Sequence, residues 1–246
     1  MQPHIHLPED LGVRYAILPG DPGRVERIAA HMEEVRELGF NREYKSVSGK
    51  YKGVPVLAMS TGMGGASTAI AVEELKNIGV TAMIRIGSCG ALQDGIALGD
   101  LILVSGAVRD DGASRTYIPK QYPAVPDTEL LFLCLQAARK LQYPHHLGLC
   151  RSHDGFYIDN EEEVSAFWSA KGILGSDMET AALFTVGRLR GMRCASLLNN
   201  VVIWGEDTSE SVGAYSTGED MTAVGETREI LTALEAFAAL DQTAQA

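Results

Sequence analysis

Along the chain, short apolar runs alternate with longer stretches in which apolar positions recur every three or four residues. "VRYAIL" (13–18), "AMIRIG" (82–87), "DLILVSGAV" (100–108), "HLGLCRS" (146–152) and "CASLLNNVVIW" (194–204) have the length of strands and predict buried ones. Helical spacing predicts helices over 128–141, 177–191 and 222–240, and over 64–79 with Ala69, Ala71 and Leu75 apolar and Gly79 as the cap. "PGDPGRVERIAAHM" (19–32) turns through two Pro/Gly pairs into a further helix. "REYKSVSGKYKGVPVLAMS" (42–60) reads as a hairpin with Gly49 and Gly53 near its turn, and "DQTAQA" as a frayed tail. No repeat or linker interrupts the alternation. The pattern therefore predicts one α/β domain over residues 1–246, a central mixed β-sheet flanked by helices.

Charge narrows the partners. Lys and Arg number 21 against 32 Asp and Glu, a net charge of −11 that disfavours a nucleic-acid partner while leaving a few arginines free to hold a small anion. Cys89, Cys134, Cys150 and Cys194 form no C-x-x-C pair, so the sequence suggests no metal site and no disulfide framework, in keeping with a reducing cytoplasm. "MQPHIHLPEDLG" lacks a basic segment followed by an apolar core, and no run approaches the ~20 apolar residues of a membrane span, so a cytoplasmic protein with no membrane partner is expected.

"IRIGSCGAL" (84–92) concentrates the candidate chemistry. An apolar strand followed by glycines could be a phosphate cradle, a cysteine nucleophile or a plain turn, because backbone N–H groups at strand ends are free and glycine lets an anion approach. Arg85 favours the cradle, since an arginine in an apolar strand needs an anionic partner. "LPGDPGRV" (18–25) repeats the design with Arg24, and two guanidinium groups suit the paired oxygens of phosphate. Cys89 has no neighbouring base to make a thiolate and reads as packing. His145 and His146, after Pro144, read as a surface turn rather than metal ligands.

Taken in order, "GDPGRV", "NREYKSV", "STGMGGAS", "RIGSCGAL", "SHDGFY" and "GSDMETAALF" resemble the hexameric-type nucleoside phosphorylases, which include bacterial purine nucleoside phosphorylases and uridine phosphorylases. The resemblance implies an αβα sandwich and phosphate-dependent cleavage of a nucleoside to base and ribose 1-phosphate, without metal or organic cofactor. It assigns phosphate to Gly20, Arg24, Arg42, Arg85 and Ser88, and ribose to His4, Met63, Met178 and Glu179, with Arg85, Ser88 and Glu179 catalytic. Phe156, Tyr157 and Val202 fall at base-contacting positions. Arg42 and His4 match residues shared across a dimer interface, implying a homo-oligomer, a hexamer built as a trimer of dimers. Asp177 stands where the family has a longer Glu, leaving its role open.

The base is ambiguous from the same comparison. Purine enzymes carry an aspartate near the position of Val202, with Asp207 five residues on, and uridine enzymes carry Gln and Arg where this chain has "IDNEEEV" (158–164). "AVRDDGAS" and "YPAVPD" lean towards uridine phosphorylases, "GSCGA" and "PHI" towards purine enzymes. A uridine-phosphorylase-like enzyme is the expectation. A purine enzyme, a nucleosidase using water and a non-catalytic nucleoside-binding protein are the alternatives.

Overall fold

The first strand, β1 (Tyr15–Leu18), is buried at every position, and Pro19 and Gly20 carry the chain from it to helix α1 (Pro22–Ala29). Pro22 presets the helical φ, and Asp21 accepts the Gly23 N–H at 2.8 Å, so the helix entry is capped from its own loop. Strands β2 (Glu33–Asn41), β3 (Tyr44–Tyr51) and β4 (Val54–Met59) follow as an antiparallel run. Lys52 and Gly53 turn β3 into β4, both at positive φ (50° and 82°), as a two-residue hairpin requires. Gly49, expected near that turn, lies inside β3 against Met32 instead.

Helix α2 (Gly65–Asn77) ends at Gly79, whose φ of 92° lets Val80 N–H reach Leu75 C=O. Then come β5 (Ala82–Ala91), β6 (Leu101–Asp110), α3 (Ala113–Tyr117), α4 (Thr128–Lys140) and β7 (His145–His153). The chain closes with α5 (Glu161–Ser169), β8 (Gly175–Asp177), α6 (Thr180–Leu189), β9 (Arg193–Val202) and α7 (Met221–Gln245). This computed structural model describes residues 1–208, 211–213 and 221–245.

The nine strands form a mixed sheet in the order β2-β3-β4-β1-β5-β8-β7-β6-β9, and an additional β5–β9 pairing closes its second half on itself. One apolar core joins α2 and α6 to the sheet, and a second joins α1, α4 and α7 to it. The result is a single α/β domain with a helical layer on each side. Among the described residues no helix is long and apolar enough to cross a membrane.

Two local departures from the sequence reading matter for the site. Gly87–Gly90 is not a loop beyond a strand: β5 runs on to Ala91, paired with β9 as far as Gly90, with an irregularity at Cys89/Gly90. Its other edge is what opens. The short β1 leaves it at Arg85, and β8 takes over only at Gly90, so residues 86–89 have one flank free.

The helix expected from 177 starts at Thr180, because Asp177 is still paired to β7 in β8 and Glu179 occupies the N-cap position. The tail is helical as far as Gln245, and Tyr15 both stacks on Phe237 and donates its hydroxyl to Asp241 at 3.0 Å.

Strand β2 and helix α5 have no counterpart in the hydrophobic pattern, since β2 is a sheet edge exposed at most positions and α5 buries none of its residues. His145 and His146 open β7, where His146 Nε2 meets Asp100 Oδ2 at 3.0 Å.

Candidate active site

A cavity of about 1870 Å³ lies along the free flank of β5, lined also by the β1–α1 loop, the turn at Gly62–Met63, the β8–α6 junction, the 153–166 segment and the end of β9. Arg85 reaches into it from the strand interior while only 4% exposed. Its Nε donates to Asp177 Oδ2 at 3.0 Å, and its Nη2 pairs with Glu179 Oε2 at 2.6 Å. Its Nη1 is buried with no hydrogen-bond partner among the described residues. Burial disfavours the charge, but the two carboxylates outweigh that and hold the guanidinium more firmly protonated than usual.

Gly87 makes the pose possible. A Cβ there would sit 2.5 Å from Arg85 Nη2, because residues two apart share a strand face and the guanidinium lies flat over the glycine.

Arg24, 3% exposed, enters from the first turn of α1. Its Nε donates to Glu226 Oε2 at 2.8 Å and its Nη1 stands 3.1 Å from Glu229 Oε1, both on α7. Glu226 also pairs with Arg27. Gly20 lines the same wall and packs on Gly62, whose N–H donates to Gly20 C=O at 3.1 Å; a Gly20 Cβ would crowd the Gly62 carbonyl at 3.2 Å. Ser88 is half-buried on the cavity wall. Gly20, Arg24, Arg85 and Ser88 thus converge on one region.

Glu179 is buried beside them. Its Oε1 accepts the Gly64 N–H at 2.5 Å, which ties the carboxylate to the Met63 turn. Burial lifts its pKa, with Arg85 pulling the other way. Met178 and the highly exposed Met63 line the cavity next to it.

Asp177 has a different part. Its Oδ1 accepts Ser152 Oγ–H at 2.5 Å, and its Oδ2 accepts from Arg85, the Thr180 N–H at 3.0 Å and the Thr180 hydroxyl at 2.6 Å. With its acceptors engaged, it anchors Arg85 to the start of α6.

The remaining assigned residues divide. Phe156 and Val202 line the cavity. Tyr157 does not: it is 84% exposed, set edge-on to Phe156 at 4.8 Å between ring centres, because the turn that points one ring inward sends its neighbour out. Asp207 is exposed on the rim.

His4 and Arg42 lie outside this chain's cavity. The His4 ring and backbone are held by Glu74, at 2.6 Å for Nδ1, and the His4 carbonyl accepts from Asn41, the residue before Arg42. Arg42 is exposed in the β2–β3 turn at φ 55°.

Cys89 is 3% exposed, and burial together with Asp177 and Glu229 pushes its thiol well above the usual range, which suits packing and not a nucleophile.

Sequence reasoning missed four residues at or behind the wall. Ser152 braces Asp177. His153 lines the cavity with Nδ1 facing Gly155 C=O at 2.8 Å, so Nδ1 carries the proton and Nε2 is left to accept from Ser176 Oγ at 3.2 Å. Burial and Arg151 keep this imidazole neutral. Glu226 and Glu229 were visible in principle, since they fall on the same helical stripe as Ile230, Ala233, Leu234 and Phe237, where an acid is out of place without a cation.

Residues 14–223 match the family model of the phosphorylase superfamily. The chain is similar to a uridine phosphorylase of Thermococcus kodakarensis, 41% identical over 82% of this chain and 78% of that one. It is also similar to a guanosine phosphorylase of Halorubrum lacusprofundi, 40% identical over 80% and 81%. The solved uridine phosphorylase of Vibrio fischeri superposes with a TM-score of 0.90 at 46% identity, covering 97% of this chain and 96% of that one. Sequence, fold and the arginine-lined cavity agree, and the chain belongs to the phosphorylase superfamily.

Proposed function

We propose that this protein is a nucleoside phosphorylase of the uridine phosphorylase type, using inorganic phosphate to split a nucleoside into free base and ribose 1-phosphate. The observation that carries the reading is the pair of buried guanidinium groups, Arg24 and Arg85, on one cavity wall, with Arg85 Nη1 buried and unpartnered. An anion supplies that partner. Arg24, Arg85, Ser88 and the Gly20 loop would hold phosphate, and Glu179, accepting from a ribose hydroxyl, would orient the sugar beside Met63 and Met178.

As the bond to the base breaks, positive charge develops on the sugar, and the bound anion both stabilises it and forms the new bond at the anomeric carbon. Holding the two reactants in line is most of the catalysis, so the reading calls for no metal or organic cofactor.

Phe156, which lines the cavity, would offer an aromatic face to the base, with Val202 on the same cavity's lining. His4 and Arg42, adjacent to each other and outside their own cavity, fit a role in the site of a second copy, so a dimer-based hexamer is part of the proposal. Four free, buried cysteines suit a cytoplasmic location.

A purine is the second reading. It is favoured by the wall at Asp159–Glu163 and by Glu206 and Asp207, which bring carboxylates to the cavity but no Gln or Arg side chain. Carboxylates accept from an N–H-rich base edge such as that of guanine.

The test is base release from uridine, thymidine, inosine, guanosine and adenosine with and without phosphate. Release that requires phosphate, with uridine the best substrate, is the expected result. Undiminished release without phosphate overturns the phosphorylase reading, and a preference for guanosine replaces the uridine assignment.

A further inference from the structure

One layer behind the cavity wall, α7 buries a carboxylate that the chemistry of nucleoside cleavage does not itself call for. Glu229 is 0% exposed and ties together the two segments that carry the arginines. Its Oε2 accepts the Gly87 N–H at 2.9 Å, on the free flank of β5. Its Oε1 lies 3.1 Å from Arg24 Nη1 on α1, close enough for an ion pair but not aligned as a hydrogen bond.

We infer that Glu229 is a positioning residue of the anion site that takes up a proton from solvent when the anion binds, which makes phosphate binding at Arg24 and Arg85 proton-linked. The inference rests on the phosphate-site reading above and adds to it a group that never touches substrate.

The charges around Glu229 set the direction. Arg24 faces it from α1, with Arg27 beyond, paired to Glu226; Arg85 and the neutral Cys89 thiol face it from β5; Glu226 stands one turn before it on α7. Asp177 and Glu179 of the β8–α6 junction are already paired to Arg85.

Two carboxylates therefore share Arg24 before any ligand arrives, and a dianion at the same guanidinium adds a third claim. Glu229 is the carboxylate that can yield. Protonating Oε1 breaks no hydrogen bond, and Oε2 keeps the Gly87 amide. Burial lifts this carboxyl to about 7, Arg24 pulls it down and Glu226 pushes it up. An anion beside Arg24 pushes it further. A group whose pKa is raised by a ligand makes that ligand bind more weakly as pH climbs through the unliganded value, by up to about tenfold per pH unit.

Sulfate is the probe, because it remains a dianion where phosphate titrates. Calorimetric titration of the intact protein should give a sulfate Kd that is level below about pH 7 and weakens by up to about tenfold per unit above it. At pH 8, paired buffers of different ionisation enthalpy should register proton uptake on binding. Glu229→Gln should hold sulfate at its low-pH affinity, so that at pH 8.5 it binds about tenfold more tightly than the unaltered protein. Glu226→Gln should move the break to lower pH.

A purely structural role predicts an equal loss at every pH. A level profile without proton uptake in the unaltered protein overturns the inference even where a variant fails to fold, as does an unchanged slope in Glu229→Gln. If neither sulfate nor phosphate binds and nucleosides are cleaved without phosphate, the phosphate site itself falls, and this inference with it.

Discussion

Arg24, Arg85, Asp177 and Glu179 are each almost fully buried and each held by two or more partners on β5, β7, β8, α7, the start of α6 or the turn before α2, so their positions follow from the sheet and the helix ends packed against it. The 156–166 wall of the same cavity is built differently: Phe156 and Ile158 ride on a turn, and α5, with Glu161, Glu162 and Glu163 in its first turn, buries no residue. One wall is a network of crossed ion pairs. The other is a surface with side chains that solvent reaches. A scaffold of this kind fixes how an anion and a sugar are held, and it leaves the third component to segments that can change without disturbing the core.

Removing Arg85 tests the buried wall most severely. Arg85→Ala deletes Nη1, a buried donor at the cavity with no partner among the described residues, and strands Asp177 and Glu179 in the interior without their cation. Phosphorolysis should fall about a thousandfold, and stability by about 3–5 kcal/mol, the range for breaking a buried pair. Steady-state kinetics at saturating nucleoside and a thermal melt read the two effects. A folded variant that still uses phosphate with near-normal affinity would remove Arg85 from the anion site.

Glu179→Gln is milder because the side-chain shape and one acceptor remain. The hydrogen bonds that a charged carboxylate strengthens are worth about 1.5–3 kcal/mol, so kcat/KM for a ribonucleoside should drop about 10- to 100-fold. The phosphate KM should change far less than the nucleoside KM. If the loss falls on phosphate instead, Glu179 serves Arg85 and not the sugar.

What the sequence made legible divides along the same line. Arg85 stood out because a guanidinium in an apolar run is a local contradiction that only a buried anionic partner resolves, and Arg24 because it follows a strand-end glycine turn of the same design; both have carboxylate partners. The strand and helix periods were clear wherever both faces of an element are packed. They failed at β2 and α5, whose exposure removes the pattern, and at β8, too short to have one.

The nature of the β5 opening was hidden for another reason. That Gly87–Gly90 is mid-strand depends on where β1 ends and β8 begins, and both are pairings between distant parts of the chain. Likewise, Asp177 was legible as an acid near a helix start, but its bonds to Ser152 and Arg85 span 25 and 92 residues and no local pattern carries them.

The exposed wall gives the smallest effects and the sharpest contrast between neighbours. Phe156 lines the cavity while Tyr157, one residue on, is 84% exposed, although the two look alike in sequence. Phe156→Ala removes an aromatic face from the base and should raise the nucleoside KM about tenfold, since aromatic contacts with a base contribute about 1–3 kcal/mol. The melting temperature should hardly move, because the ring packs on no buried core. Tyr157→Ala should stay within about twofold in every parameter, as surface substitutions usually do. If the two variants are impaired equally, the tyrosine reaches the base in the working enzyme and the turn at 154–158 rearranges when substrate binds. If neither is impaired, the base is held by Val202 and the rim acids alone, and the aromatic pair is no part of the site.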